Sequence, residues 1–281
     1  MGSTKVVSVL KHFLHPTKIG HAGTLDPLAT GILPVAFGKA TRLIPYVMEG
    51  KKTYQFTIKW GIETDSDDLG GKEIATSDKR PTQDEINNTI SKFIGKIDQT
   101  PNAFSAIKVD GKRAYDLARS GQPVAIAPRQ ITIYDLRSLD MTAENATFEV
   151  ICSKGTYVRT LAHDIAHALG TVGVVTMLRR TNCSPFDLNQ ALALEDIKSG
   201  KITTDNLPLI PMETVLKDLA ALILSETEIN RLAQGQRLSW AKLDHPQAET
   251  ENGIYCATVN GKICGLVQKD DAVIRPKFIW I

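Results

Sequence analysis

The stretch Thr53-Tyr-Gln-Phe-Thr-Ile-Lys-Trp60 decides the fold class, because its polar and apolar residues alternate without a break. Such alternation places successive side chains on opposite faces of a β-strand, so one face is predicted to be buried. That face is predicted to carry Tyr54, Phe56, Ile58 and Trp60.

Helices and further strands surround this strand in the sequence. Apolar residues at helical spacing predict helices over residues 4–14 and 157–169, and the capping box Thr82-Gln-Asp-Glu85 predicts another that stops at Gly95. Alternation predicts two more strands, over residues 130–139 and 147–152. Because strands and helices do not alternate regularly, we predict an α+β fold with a mixed or antiparallel sheet, and a Rossmann fold is disfavoured.

The Pro208-Leu-Ile-Pro211 break predicts a boundary between two domains, residues 1–210 and residues 211–281. The second domain is predicted to be small and β-rich, with a helix that begins at the capping box Ser225-x-x-Glu228. Asn260-Gly261 predicts a tight hairpin. Pro276 places the last strand at a sheet edge, since proline cannot donate a ladder hydrogen bond.

Composition narrows the class of protein. The chain has 281 residues, of which 42% are hydrophobic and 23% charged, as is typical of a globular protein. It lacks an apolar run of about 18 residues and a signal-peptide pattern, so we expect no membrane span and a cytoplasmic protein. Its four cysteines form no C-x-x-C pair, so neither a thiolate zinc site nor a redox dithiol is predicted.

The segment Gly20-His-Ala-Gly-Thr-Leu-Asp-Pro-Leu-Ala-Thr-Gly31 is too rich in glycine and proline for a helix or a long strand, and we predict a structured loop. It carries one carboxylate, Asp26, whose backbone is biased towards an extended conformation by Pro27. A carboxylate presented in this way can act as a nucleophile, or it can simply cap a turn. The residues alone leave both roles open.

Four motifs together resemble the TruB family of pseudouridine synthases. The Gly20–Gly31 segment resembles the catalytic-aspartate motif, and Lys52-Thr-Tyr54 the second motif. Ser153-Lys-Gly-Thr-Tyr-Val-Arg-Thr160 resembles the third motif and Met177-Leu-Arg-Arg180 the fourth, in the family's order and spacing. Bacterial members isomerise uridine 55 in the T loop of tRNA, and the C-terminal part of this chain resembles their PUA-type RNA-binding module.

The resemblance implies catalytic roles for three residues. Asp26 is expected to be the nucleophile, and Arg159 to hold it oriented and ionised. Tyr54 is expected to stack on the flipped uracil and to assist proton removal from C5. By pattern alone, Tyr54 is a core aromatic residue and Arg159 a residue of a helix surface.

The resemblance also implies substrate-binding residues. His21, Tyr157 and Leu178 are expected around the target nucleotide, and Asp68 near the same pocket. By pattern alone Leu178 is a core leucine and His21 belongs to the loop surface. The other acidic residues after the Tyr54 strand are expected to be solvated loop charges, namely Glu63, Asp65 and Asp67.

The reaction implied by the resemblance breaks the bond from N1 to C1′, rotates the bound uracil and joins C5 to C1′. No cofactor is expected, neither metal nor ATP. An ionised carboxylate can attack C1′, attack C6 or remove a ribose proton, and the sequence does not choose among these routes.

The net charge of +2 does not by itself indicate a polyanionic partner, but the basic residues are unevenly distributed. Residues 101–137 contain six basic and three acidic residues, and residues 151–180 contain four and one. We expect these segments to contact the phosphates of the tRNA T arm. Lys108, Arg179 and Arg180 are the candidate contacts, and the protein is expected to act as a monomer without a protein partner.

Two alternatives depend on particular residues. His163-Asp-Ile-Ala-His167 has metal-ligand spacing on a helix, which would suit a metallohydrolase, but exposed histidines are the ordinary explanation. The family usually has a strand and a Lys-Pro-x-Gly turn before the first helix, and Met1-Gly-Ser-Thr4 resembles the residues just after that turn. We expect a start further upstream. If the strand is truly lost, an inactive RNA-binding protein is the alternative.

Overall fold

A computed structural model describes the chain except Ala106, Asp110, Gly121, Pro123 and residues 245–250. It also leaves undescribed the side chains of Lys108, Val109, Lys112, Arg113, Tyr115, Asp116 and Arg119. The helices are α1 (Ser3–Leu14), α2 (Ile44–Glu49), α3 (Gln83–Ile90), α4 (Ala114–Arg119), α5 (Val158–Ala168), α6 (Leu194–Lys198), α7 (Glu213–Leu216) and α8 (Glu226–Ala233).

The strands are β1 (Ile19–His21), β2 (Thr30–Gly31), β3 (Val35–Phe37), β4 (Lys52–Trp60), β5 (Ile62–Thr64), β6 (Glu73–Thr76), β7 (Gly95–Gln99), β8 (Lys108–Val109), β9 (Lys112–Arg113), β10 (Arg129–Met141), β11 (Asn145–Cys152), β12 (Gly173–Cys183), β13 (Phe186–Asp187), β14 (Ala221–Ile223), β15 (Leu238–Ser239), β16 (Gly253–Val259), β17 (Lys262–Asp270) and β18 (Val273–Ile279). Short 3-10 helices cover Gly38–Leu43, Ser91–Phe93, Leu188–Gln190 and Trp240–Lys242.

The chain packs into two units. The first comprises Met1–Val9, His21–Pro34 and Val47–Asp196, and the second comprises Leu10–Gly20, Val35–Tyr46 and Ile197–Ile281. The sequence predicts a boundary near residue 210, whereas the packing changes near residue 196. Two early segments also join the second unit: Leu43 of one packs with Leu216, Cys256 and Phe278, and the Leu14 carbonyl of the other accepts from Thr204 Oγ1 over 3.5 Å. A break in sequence texture cannot reveal such a long-range association.

The main sheet of the first unit has the order β13-β12-β4-β11-β10-β7, with β2 pairing beside β12. β4 lies in the interior of this sheet, antiparallel to both β11 and β12. The prediction of an α+β fold with a mixed or antiparallel sheet is confirmed, since β2 pairs parallel with β12 and the other pairings of this sheet are antiparallel. β12 was not predicted as a strand, because its residues are buried in an irregular pattern rather than in alternation. β7 was missed because Gly95 was interpreted only as a helix terminator.

The core of the first unit lies between this sheet and helices α3 and α5. Phe56 of β4 stacks on Phe148 of β11, with ring centroids 5.4 Å apart, and both side chains are fully buried. Burial of such a side chain contributes roughly 1.5–3 kcal/mol to folding. At Gly173 an added Cβ would lie 2.6 Å from Ile58 and 3.1 Å from Ala166, so only glycine permits α5 to approach the sheet this closely.

The second unit contains a sheet with the order β14-β16-β17-β18-β15. The predicted hairpin is confirmed, since β16 and β17 pair antiparallel on either side of Asn260-Gly261. The strand with Pro276 is not the outermost strand, because β15 pairs with Val273 and Ile274. Pro276 lies beyond this short pairing and opposite Val267 of β17, next to a register shift, which is a position where a strand tolerates proline.

Across the described residues, every helix is too short or too polar to cross a lipid bilayer.

Candidate active site

The loop that carries Asp26 is held as a tight turn. The Ala29 backbone N–H donates to the Asp26 carbonyl over 2.9 Å, and Pro27 occupies the second position of this turn, where its fixed φ is favourable. Leu28 and Ala29 pack against the main core. The apolar residues after Asp26 therefore fix the backbone that presents its carboxylate.

Strand β12 holds the end of this loop. Gly31 lies beside Arg180 in the parallel pairing of β2 with β12. Gly31 has a φ of 96°, and an added Cβ would lie 2.0 Å from the Arg180 carbonyl oxygen, so this position requires glycine. The Arg180 guanidinium donates from Nε to the Ile32 carbonyl over 3.0 Å and from Nη2 to the Gly23 carbonyl over 3.2 Å.

Arg180 was predicted from the sequence to contact RNA, but it is only 1% exposed. Its charged group faces inward because the carbonyls of the Asp26 loop accept its hydrogen bonds. The arginine is thus a support of the loop and not part of the protein surface.

The first helix supplies another support that the sequence analysis missed. Ser3 Oγ accepts from the Leu25 N–H over 2.8 Å and donates to the Leu25 carbonyl over 3.3 Å. Ser3 is 4% exposed, so this paired interaction is shielded from water. It fixes the residue immediately before Asp26.

Arg159, at the start of α5, contacts Asp26 directly. Its Nε lies 2.8 Å from Asp26 Oδ2, its Nη1 donates to the Ser66 carbonyl over 2.6 Å and its Nη2 to the Phe104 carbonyl over 2.9 Å. Burial alone would lower the pKa of Arg159, but the carboxylates of Asp26 and Asp68 raise it above its ordinary value. The Arg159 side chain is 6% exposed and that of Asp26 is 32% exposed, so a buried cation holds an accessible carboxylate.

Asp68 is brought to this site as well. Its Oδ2 lies 3.4 Å from Arg159 Nη1, while its Oδ1 accepts from Ser66 Oγ over 2.8 Å and from the Gly70 N–H over 2.9 Å. Asp68 therefore helps to position the guanidinium that faces Asp26.

The expectation that Asp67 and Glu63 are solvated loop charges is wrong. Asp67 is 6% exposed, has a φ of 59°, and accepts from Asn102 Nδ2 over 2.8 Å. Burial raises the pKa of Asp67 to about 6, although the Asn102 hydrogen bond opposes this rise. The Glu63 side chain is 12% exposed, because the two histidines of α5 contact it. These burials come from long-range contacts, which the local acidic pattern does not indicate.

Tyr54 lies on β4, opposite Arg180 of β12, and packs against the main core. Burial raises the pKa of Tyr54 to about 12, and the neighbouring Arg180 only partly opposes the rise. The phenol is therefore protonated near neutral pH. Lys52 of the same motif has a structural role, since its Nζ donates to the carbonyls of Val47, Met48 and Gly50.

Tyr157 immediately precedes α5, and its backbone is fixed by the side chain of Gln99 on β7. Gln99 accepts from the Tyr157 N–H over 2.8 Å and donates to its carbonyl over 3.1 Å. The Tyr157 ring lies under the Arg129 guanidinium, 5.4 Å away, and burial raises the pKa of its phenol. The Asp26 charge also raises the pKa of this phenol, whereas the Arg129 charge lowers it.

Leu178 and His21 occupy different environments. Leu178 is 5% exposed and belongs to the main core, and its carbonyl accepts from Thr30 Oγ1 over 3.5 Å. His21 ends β1 shortly before Asp26 and is half-buried, and this burial lowers the pKa of its imidazole. His21 is therefore neutral near pH 7.

Among the described side chains, two of the basic residues counted in the predicted phosphate-contacting segments are paired with carboxylates. Arg137 pairs with Glu149 over 2.6 Å, and Lys154 pairs with Glu49 over the same distance. Arg179 is exposed, beside buried Arg180 on β12. The side chain of Lys108 lies outside the described residues, as does the whole of Asp110.

Two models of the TruB family match most of the chain. The family model for "TruB family pseudouridylate synthase (N terminal domain)" matches residues 11–158, and that for "tRNA pseudouridylate synthase B C-terminal domain" matches residues 159–222. The chain therefore belongs to the TruB family of pseudouridine synthases, whose members are isomerases.

Particular relatives agree with this assignment. The chain is 42% identical to the tRNA pseudouridine synthase B of Bradyrhizobium diazoefficiens, over 100% of this chain and 82% of that protein. It is 43% identical to the protein of the same name from Rhodospirillum rubrum, over 98% and 91% of the two chains. A solved Cbf5-Nop10-Gar1 complex contains a chain with the same fold, with a TM-score of 0.74, 24% identity and coverage of 99% and 81%. The fold is that of a pseudouridine synthase with a small PUA-like β-rich unit.

Proposed function

We propose that this protein converts uridine 55 in the T loop of tRNA to pseudouridine, with Asp26 as the nucleophile and without metal or ATP. The observation that carries the proposal is the contact of the accessible Asp26 carboxylate with the buried Arg159 guanidinium over 2.8 Å. The name of the two relatives, tRNA pseudouridine synthase B, supports tRNA as the substrate.

Asp26 would act on the target nucleotide while ionised. It attacks C1′ or C6, or it removes a ribose proton, and each route begins with an electron pair on a carboxylate oxygen. The bond from N1 to C1′ breaks, the uracil turns, and the bond from C5 to C1′ forms as C5 loses its proton and N1 gains one. Arg159 keeps the carboxylate aimed, because Ser66 and Phe104 fix the other guanidinium nitrogens.

Tyr54 supplies the surface for the flipped base. Flipping costs a few kcal/mol of stacking, and an aromatic ring under the base restores on the order of 1–3 kcal/mol. Since the pKa of Tyr54 is about 12, the resting phenol carries its own proton, and its acceptance of the C5 proton requires prior loss of that proton. Tyr157, Leu178 and His21 complete the surroundings of the nucleotide.

The phosphates of the T arm would be held by exposed basic side chains, among which Arg179 is the clearest in the described part of the chain. Arg180 is excluded from this role by its burial. The protein acts alone and as a monomer in the cytoplasm.

The test is tritium release from unmodified tRNA labelled at C5 of its uridines. The wild-type protein should release tritium with EDTA present, and Asp26→Asn should release none while binding tRNA within about threefold of wild type, because phosphate contacts are retained. Asp78→Asn, a change at an exposed carboxylate, is the matched control and should retain full activity.

A tRNA with cytidine in place of uridine 55 should give no release above background. Undiminished release from this tRNA would contradict the target site. Loss of release with EDTA would contradict a metal-independent reaction, and equal loss of tRNA binding in Asp26→Asn would contradict a purely chemical role for Asp26.

A further inference from the structure

Helix α5 presents a stripe of three side chains to β5 and to the segment that follows it. Arg159, His163 and His167 follow one another at intervals of four residues, which places them on one face of the helix. Arg159 contacts Ser66 and Asp68, as described above, whereas the histidines contact Glu63. His163 and His167 have no part in the proposed reaction.

Glu63 lies between the two imidazoles. Its Oε1 is 3.2 Å from His163 Nε2, and its Oε2 is 3.0 Å from His167 Nε2. The imidazole rings have centroids 4.2 Å apart, and the donor atoms of the three residues all lie within 4.8 Å of one another. Ligand atoms around a tetrahedral zinc ion with bonds of about 2.0–2.1 Å are separated by about 3.3 Å, so these atoms need little movement to share an ion.

One histidine is oriented by a further carboxylate. His163 Nδ1 lies 3.3 Å from Asp164 Oδ1, which leaves its Nε2 directed to Glu63. Metal-binding histidines commonly use their second ring nitrogen for such a contact, because it fixes the tautomer and the ring plane. The contact of His163 with Asp164 is therefore a second observation in favour of a metal site, separate from the spacing of the two histidines.

The donor set and its accessibility suit a small ion. Two imidazoles and a carboxylate are typical ligands of zinc and other late first-row metal ions, and they leave a position for water. The side chain of Glu63 is 12% exposed, that of His163 30% and that of His167 48%, so the cluster opens to solvent on the His167 side.

We propose that Glu63, His163 and His167 bind one divalent transition-metal ion, and that this ion joins β5 to α5. The sequence provides the histidine pair, and the fold adds the third ligand from a distant strand. The ion is structural: it stabilises the junction of β5 with α5 against unfolding, and the contacts of Arg159 with Ser66 and Asp68 are made without it, so turnover does not depend on it. In the simpler alternative, Glu63 only accepts hydrogen bonds from the two imidazoles.

The experiment uses the full, tag-free chain stripped with EDTA and then freed of the chelator. Co²⁺ is titrated and followed by visible absorption, Zn²⁺ is then used to displace it, and bound metal is counted by mass spectrometry. The site predicts one equivalent per chain with a dissociation constant of about 10 µM or below. His163→Gln, His167→Gln and Glu63→Gln should each weaken binding by at least about tenfold.

The matched control is the double change His12→Gln and His15→Gln, which removes another pair of neighbouring imidazoles, both exposed. It should bind the metal as the wild-type protein does. Zn²⁺ should raise the melting temperature of the wild-type protein and of the control, but not that of Glu63→Gln, which retains the shape of the side chain.

The proposal is overturned if neither Co²⁺ nor Zn²⁺ binds at one equivalent with a dissociation constant of about 10 µM or below. It is also overturned if the three site variants bind as tightly as wild type, or if the control loses binding to the same extent. Each readout is independent of turnover, so failure of this site leaves the proposed isomerase reaction untouched.

Discussion

Arg159 and Arg180 are two buried arginines that hold the Asp26 loop from different elements, and their partners differ in kind. Arg159, on α5, donates to the Asp26 carboxylate itself. Arg180, on β12, donates to the backbone carbonyls of Gly23 and Ile32. The first contact orients the carboxylate that we propose as the nucleophile, while the second fixes the course of the chain around it. Burial and charge alone therefore do not reveal whether an arginine serves chemistry or stability.

Arg159→Lys tests the chemical side of this comparison and should have the largest effect. Lysine keeps the charge, but a single ammonium cannot reproduce contacts to Asp26, Ser66 and Phe104 together. We expect the folded variant to release tritium about 100-fold more slowly in a single turnover, equivalent to about 2.7 kcal/mol, and the loss of a buried carbonyl contact to lower its stability as well. If Arg159→Lys is less stable but its folded fraction releases tritium at the wild-type rate, Arg159 has no role in the reaction.

Arg180→Lys is the matched change on the structural side. One of the two carbonyls should lose its partner in a buried place, which costs about 1–3 kcal/mol in the free energy of unfolding. Denaturant unfolding should show this loss, while the folded variant keeps its rate within about tenfold of wild type. A 100-fold slower rate without destabilisation would show that Arg180 acts on the reaction as Arg159 does.

Ser3→Ala sharpens the comparison by removing a neutral support of the same loop. The Leu25 N–H and carbonyl would both lose the serine hydroxyl, at a cost of about 1 kcal/mol. Unfolding by urea measures this cost against Ser8→Ala, a change at an exposed serine of the same helix. Equal stability of the two variants would show that the loop does not depend on α1.

Arg179→Ala should have the smallest effect. This neighbour of Arg180 is exposed, so its loss should raise the dissociation constant for tRNA about threefold and reduce the salt dependence by about one phosphate contact. Turnover at saturating tRNA should not change. Filter binding at several salt concentrations measures both quantities, with Lys92→Ala, at another exposed basic residue, as the control. If the tRNA affinity of Arg179→Ala depends on salt as that of the wild-type protein does, Arg179 does not contact a phosphate.

The parts of the fold that the sequence predicted are those controlled by neighbouring residues. The capping box at Thr82 is present, with the Glu85 N–H donating to Thr82 Oγ1 and Glu85 Oε2 accepting from the Thr82 N–H. The alternation from Thr53 to Trp60 likewise produced β4. In both cases the stabilising contacts or the burial pattern follow from spacing within one element.

The parts that could not be predicted depend on residues far apart in the chain. The pairing of Asp67 with Asn102 and the contacts of Glu63 with α5 have no local signature. Arg179 and Arg180 are alike in sequence, and only the position of the Asp26 loop makes one exposed and the other buried. The family motifs indicated that Asp26 and Arg159 matter, but they did not distinguish a support of the loop from a contact with RNA.

The sequence separation of these contacts also sets an order of events during protein synthesis. Arg159 follows Asp26 by 133 residues, and Arg180 follows Ile32 by 148. At about 5–20 residues per second, a ribosome needs roughly 7–30 s to make the intervening chain. For that interval the nascent Asp26 loop lacks both buried arginines, so it can take up its final structure only after β12 has left the ribosome.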